Sequence, residues 1–179
     1  TVDDTLVQFQ NPLSQDFFQN AGKSSRDGVE LLLEWVPNSS FDARFAYTYQ
    51  DFMFEDFVSA GDDFSGMAEP GAPPHRIFTG FNYTASFGLR SGATVRWVDD
   101  FAVNNMNTAF NWAYTVVDLR FGFDTMWGDS AVRPFVGLDN IFNERYNSSV
   151  ITNGWGRRYY EPSPGREIYA GMTMRFGPR

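Results

Sequence analysis

Phe41-Asp42-Ala43-Arg44-Phe45-Ala46-Tyr47-Thr48-Tyr49-Gln50 decides the fold class. On an extended chain, side chains alternate between two faces. Phe41, Ala43, Phe45, Tyr47 and Tyr49 then share one face, and Asp42, Arg44, Ala46, Thr48 and Gln50 the other. The pattern returns downstream, where Ala113, Thr115, Val117, Leu119, Phe121 and Phe123 alternate with Tyr114, Val116, Asp118, Arg120, Gly122 and Asp124. It returns once more where Ile168, Ala170, Met172, Met174 and Phe176 oppose Glu167, Tyr169, Gly171, Thr173 and Arg175. Helical periodicity is hard to find anywhere, so the chain reads as all-β.

Working outward from these segments, the sequence predicts about eight strands, near 2–9, 26–36, 41–57, 76–86, 89–99, 112–125, 131–139 and 166–176. Several reach the roughly 9–11 residues that a tilted membrane-crossing strand needs, above the soluble mode of about 5–6. The connections are more informative. Pro37–Ser40, Ser86–Gly88 and Met126–Asp129 are short, whereas 10–25, 58–75, 100–111 and 140–165 are long. Short turns at one end and long loops at the other are the mark of a transmembrane antiparallel up-and-down barrel. A Greek-key sandwich has no reason to produce them. In such a barrel the final strand follows a long outer loop, which places the C-terminus on the periplasmic side.

Composition agrees. Aromatic residues make up 18% of the 179 residues, with 19 Phe, 8 Tyr and 5 Trp, as girdles at two membrane interfaces require. No apolar run is long enough for a transmembrane helix, which excludes helical spans. A net charge of −8 argues against nucleic acid as a partner. The absence of cysteine removes disulfides and thiolate chemistry. The first residues show no secretory leader, and Val2–Phe9 already reads as strand, so the expectation is a chain that continues upstream.

Against this background, four motifs resemble the TonB-dependent receptors of bacterial outer membranes, siderophore receptors in particular. Arg133-Pro134-Phe135-Val136-Gly137-Leu138-Asp139-Asn140-Ile141-Phe142-Asn143-Glu144-Arg145-Tyr146 is similar to the family's NLF-x-x-x-Y signature, through Asn140, Phe142 and Tyr146. Tyr160-Glu161-Pro162-Ser163-Pro164-Gly165-Arg166 resembles its Y-x-P-x-P-G-R run into the last strand. Asn20-Ala21-Gly22 followed by Gly28-Val29-Glu30 resembles N-x-G … G-x-E, and Pro73-Pro74-His75-Arg76 resembles P-x-H-R. Family members end on an aromatic residue read by the barrel-assembly machinery. Phe176 fits that place, and Gly177-Pro178-Arg179 follow it.

The resemblance implies that residues 1–179 are the C-terminal part of a barrel of the 22-stranded type, with the plug domain and TonB box lying upstream. It further implies active uptake of a ferric siderophore or similar scarce metal complex, with outer-membrane lipid, the ligand and TonB as partners. No enzymatic activity and no cofactor are expected. Cobalamin, other metal complexes and glycans are alternative cargoes. A free-standing eight-stranded barrel, structural or enzymatic, and a secreted β-sandwich lectin are alternative identities.

Candidate ligand contacts lie in 147–163, where Trp155, Arg157, Arg158, Tyr159 and Tyr160 can grip a large anionic chelate by stacking and charge. A competing reading places Tyr159 and Tyr160 in the upper girdle and pairs the arginines with nearby acids. The motif residues read as structural: Gly165 as a turn with unusual φ, Asn140 as a backbone hydrogen-bonder at a strand end, Arg166 as a partner of Glu161 or Glu167. His75 is the only histidine and has no second ligand or nucleophile for company. Asp62-Asp63 and Asp99-Asp100 read as solvated loop carboxylates ahead of a calcium site, and no metal site is expected.

Overall fold

The structure, a computed structural model, describes residues 2–176, so Gly177-Pro178-Arg179 lie outside it. Eight long strands carry the fold: β1 Val2–Gln10, β2 Asp16–Asn38, β3 Phe41–Asp56, β4 His75–Thr84, β5 Leu89–Val98, β6 Tyr114–Phe123, β7 Ser130–Asp139 and β8 Glu167–Arg175. Each pairs antiparallel with its neighbour in sequence, β1 through β8 in order. The sheet does not close: among the described residues β1 and β8 do not pair with each other. The chain is thus part of a barrel wall and does not form a complete eight-stranded barrel.

The register puts matching faces side by side. Phe45 pairs with Thr79, Thr79 with Val95, and Val95 with Val117, a row on the apolar face. One residue along, Arg44 pairs with Gly80, Gly80 with Thr94, and Thr94 with Asp118, a row on the polar face. On the apolar face large side chains stay uncovered by protein, among them Leu33, Trp35, Phe81, Phe121, Ile168 and Met172. The polar face lines an open hollow of about 650 Å³ that includes Asn82, Arg90, Arg120 and Asp139.

Aromatics bracket the apolar face. At the loop end Tyr47 and Tyr49 pack on His75, with ring centroids 6.0 and 5.2 Å apart, and the Tyr47 hydroxyl lies 2.9 Å from His75 Nδ1. At the turn end Trp35 meets Phe41 edge-on at 5.5 Å, and Phe87 lies 6.4 Å from Phe123. From Phe41 to Tyr49 the strand climbs about 26 Å at roughly 3.3 Å per residue. Tilted by about 40°, that spans roughly 20 Å, close to the apolar band of a membrane barrel.

The turns are tight. Ser40 N–H donates to Asn38 Oδ1 at 2.9 Å between β2 and β3. Gly88, at φ +101, closes the β4–β5 turn, where a Cβ would strike the Asp124 carbonyl. Packing across β7 and β8 is reciprocal. Gly137 faces Tyr169 and Gly171 faces Phe135, so each aromatic ring lies over the glycine of the opposite strand.

One expectation fails. Residues 10–25 were expected to form a long loop, yet Asp16–Ser24 continue β2 upward and pair with β1, leaving Asn11–Gln15 as the connection. Asn11 Oδ1 accepts from both Leu13 N–H and Gln15 N–H at 3.0 Å, and Ser14 takes φ +57. This segment has no consistent apolar face, since Phe17 and Phe18 fall on opposite faces among Gln19, Asn20, Lys23 and Ser24, so alternation gave no signal there. The hairpin still lies at the loop end of the sheet.

Above the band sits the buried apolar cluster of Val7, Phe54, Phe57 and Phe64, with Met67 against it. It joins the β1–β2 hairpin, the top of β3 and the following loop. The apolar core of this chain is therefore in its loop layer, and the wall keeps its apolar face outside.

Candidate functional site

Three long connections form the loop layer: loop A (57–74), loop B (99–113) and loop C (140–166). Each carries local order that sequence patterning missed. Val58–Ser59 pair with Asp62–Asp63 in loop A, Phe101–Ala102 with Phe110–Asn111 in loop B, and Asn147–Val150 with Tyr160–Pro162 in loop C.

Loop C starts from Asn140, the first residue of the NLF-like motif. It is 3% exposed with φ +50, and its side chain turns the chain by accepting from Glu144 N–H at 2.8 Å and donating to the Glu144 carbonyl at 2.9 Å. Its own N–H donates to Asp118 Oδ1 at 2.9 Å. The other Asp118 oxygen accepts from Thr94 Oγ1 at 3.1 Å and Arg96 at 3.2 Å. One carboxylate thereby ties β5 and β6 to the start of loop C. Tyr146 packs on Tyr114 with centroids 4.7 Å apart, while Phe142 and Phe176 project at 71% and 75% exposure.

Two expected roles in the second motif are corrected. Gly165 does not take a positive φ; it is small because a Cβ would meet Asn143 Oδ1 at 2.8 Å. Arg166 forms no ion pair with Glu161 or Glu167; its backbone N–H donates to Asn143 Oδ1 at 3.0 Å. Asn143 thus pins this turn from the far end of loop C.

Trp155, Arg157 and Arg158 stand on a short 3₁₀ turn in loop C, Trp155–Arg157, with Gly156 at φ +67 and Arg157 at φ +63. Gly154 permits the reversal, since a Cβ there would collide with the Arg158 carbonyl. Trp155, Arg157, Arg158 and Tyr160 are exposed, and Tyr159 is 9% exposed. The Tyr159 carbonyl accepts from Ile151 N–H at 2.8 Å. The Tyr160 hydroxyl donates to the Phe110 carbonyl at 3.0 Å, beside the exposed Trp112. Among the described residues neither Arg157 nor Arg158 makes an ion pair. A bulky residue in the left-handed region is uncommon and costs of order 1 kcal/mol or more.

Other polar groups are accounted for by structure. Arg26 pairs with Glu69 through two hydrogen bonds, 3.1 and 2.8 Å, with the guanidinium 5.5 Å from the Phe52 ring centre. This holds the nearly buried Glu69 of loop A to β2. Ser65 donates to Asp63, keeping that carboxyl below its usual pKa, and its backbone N–H lies 2.9 Å from Oδ1. Among the described residues no three His, Cys, Asp or Glu side chains gather as a metal site.

Comparison with known proteins accounts for this geometry. The profile of the TonB dependent receptor-like, beta-barrel family matches residues 1–141. The ferrioxamine receptor of Yersinia enterocolitica is 25% identical over 146 residues, covering 78% of this chain and 20% of its own length. The siderophore receptor PiuA from Acinetobacter baumannii superposes with a TM-score of 0.73 at 19% identity, over 94% of this chain and 24% of that one. The copper transporter OprC superposes with a TM-score of 0.66 at 19% identity, over 94% of this chain and 25% of the other. The chain thus spans about a fifth of its curated relative and about a quarter of these solved structures. At such identities the superpositions speak for the fold alone, and a siderophore receptor and a copper transporter share it. Matched by the family profile over residues 1–141 and folded as a partial antiparallel barrel wall, the chain belongs to the TonB-dependent receptor-like β-barrel family.

Proposed function

We propose that this chain supplies wall strands and outer loops to an outer-membrane receptor that imports a ferric siderophore or similar metal complex. Its uncovered apolar face lies in lipid, where the paired sheet satisfies the backbone groups of its strands. Loops A, B and C face the exterior, and the turns after β2, β4 and β6, with the C-terminus, face the periplasm. Substrate meets the loop layer and a plug contributed by other parts of the receptor, and TonB drives plug rearrangement. A curated relative is a ferrioxamine receptor, which puts hydroxamate chelates among the candidate cargoes.

The observation that carries the reading is the loop C tip. Trp155 and Tyr160 offer aromatic faces, and Arg157 and Arg158 offer two cations without an acidic partner among the described residues. Arginine suits planar, delocalised anionic oxygen ligands better than lysine does. Tyr159, buried beneath, supports the tip.

The test is uptake of radiolabelled ferric catecholate, ferric citrate and ferric hydroxamate by cells whose only receptor is the intact gene product. Uptake requires TonB, and Arg157→Ala with Arg158→Ala lowers uptake of an anionic chelate about a hundredfold or more, as losing two charge-assisted contacts of about 1.5–3 kcal/mol each entails. Unchanged uptake in the double variant removes the tip from the site. No TonB-dependent uptake of hydroxamate, catecholate or citrate iron refutes the siderophore reading.

A further inference from the structure

We propose that loops A, B and C move as one body, with Asn153 as its joint and Asn107 as a second fastening. Asn153 lies in loop C at φ +52. Its backbone N–H donates to the Val103 carbonyl of loop B at 2.9 Å. Its Oδ1 accepts from Asn105 N–H at 2.8 Å, and its Nδ2 donates to Asn105 Oδ1 at 2.9 Å. The same Nδ2 reaches the Gln8 carbonyl of β1 at 3.0 Å, joining segments 145 residues apart. Val103 is 0% and Asn105 8% exposed, so breaking one of these bonds while the others hold leaves a buried polar group without a partner. A buried polar group left without a partner is costly, and this makes the joint all-or-none.

Asn107 does for loop A what a neighbouring strand would do. Its Oδ1 accepts from Ala68 N–H at 2.8 Å and its Nδ2 donates to the Ala68 carbonyl at 2.9 Å. Ala68 also bridges Met53 of β3. Further contacts run between all three loops. Gly71 N–H donates to the Ala102 carbonyl at 2.8 Å, linking loops A and B. A Cβ on Gly71 would meet the Thr152 methyl at 2.9 Å, which brings loop C against loop A. Asn147 donates to Asn111 Oδ1 at 2.8 Å, linking loops C and B a second time. Apart from the contacts to Gln8 and Met53, these bonds run from loop to loop. The loop layer is fastened within itself as well as to the top of the wall, and the tip at 155–158 keeps its place before any ligand arrives. This inference stands on the asparagine geometry and does not depend on what the tip binds.

Hydrogen–deuterium exchange on the intact receptor in detergent tests it, with Asn153→Gly and Asn107→Gly as variants. Glycine accepts the positive φ of both positions and removes only the side-chain bonds. Asn153→Gly is expected to speed exchange about tenfold or more in loop A around Ala68 and in loop B around Asn105, as well as in loop C, while β5 and β6 are unchanged. Asn107→Gly is expected to loosen the same three loops from the other side, and it decides the matter by itself if the first variant does not fold. Faster exchange confined to the substituted residue's own loop overturns the proposal.

Discussion

Placing an arginine at Val95 tests which face of the wall meets lipid. Val95 pairs with Thr79 on one side and Val117 on the other, and Thr79 in turn pairs with Phe45. Phe45 lies midway between Phe41 and Tyr49, which mark the two aromatic limits of the face. Val95 therefore sits inside the apolar band, about 20 Å along β5 from Leu89 at the turn end and about 10 Å from Val98 at the loop end. An arginine at the midplane of a membrane barrel costs about 2–4 kcal/mol, and near the interface about 0–1. Val95→Arg is thus expected to shift the folding equilibrium by about 30- to 800-fold, and Trp97→Arg by much less.

Thr94 is the control, one residue away and on the opposite face. It lines the polar hollow and donates to Asp118 at 3.1 Å. Thr94→Arg replaces that bond with a cation beside a carboxylate, for a net change below about 1 kcal/mol. The assay is urea unfolding of the intact receptor refolded into phosphatidylcholine vesicles. A Val95→Arg penalty no larger than that of Thr94→Arg refutes the assignment of the apolar face to lipid.

Two further outcomes follow from contacts inside the wall and at its rim. Gly137→Ala pushes a methyl into the Tyr169 ring and costs about 1–2 kcal/mol; in a Tyr169→Ala background the cost falls, giving a positive coupling in a double-mutant cycle. Asn140→Ala removes both bonds to Glu144 at a position with φ +50 and costs about 2–3 kcal/mol; Asn140→Gly costs less because the backbone is unstrained, as equilibrium unfolding will show.

The wall was legible in the sequence for a physical reason. Between its aromatic limits each strand must present apolar groups outward and polar groups inward, so Phe41–Gln50 and Tyr114–Phe123 declare themselves by period. Above the band that requirement lapses. Asp16–Ser24 is a strand held by pairing with β1, and its polar residues read as loop. The apolar cluster of Val7, Phe54, Phe57 and Phe64 joins residues too far apart for any local pattern to reveal.

The candidate site was legible in part. Trp155, Arg157, Arg158 and Tyr160 form an exposed tip, whereas the burial of Tyr159 and the positive φ of Arg157 depend on the fold around them. The asparagines that fasten the loops were missed. Four of the seven described non-glycine residues with positive φ are asparagine (107, 140, 143 and 153), so the loop asparagines were the available signal for turns. Their cross-loop partners are set by three-dimensional contact alone.

Accessibility of single cysteines in whole cells tests the central claim, a receptor wall with its loop layer outside. This segment contains no cysteine, so Arg157→Cys and Ser39→Cys each introduce a single site within it. With a polymer-linked maleimide too large to pass the outer membrane, the account predicts labelling of Arg157→Cys on intact cells. Ser39→Cys is labelled only after the outer membrane is opened. Labelling of Ser39→Cys on intact cells, with Arg157→Cys protected, contradicts it.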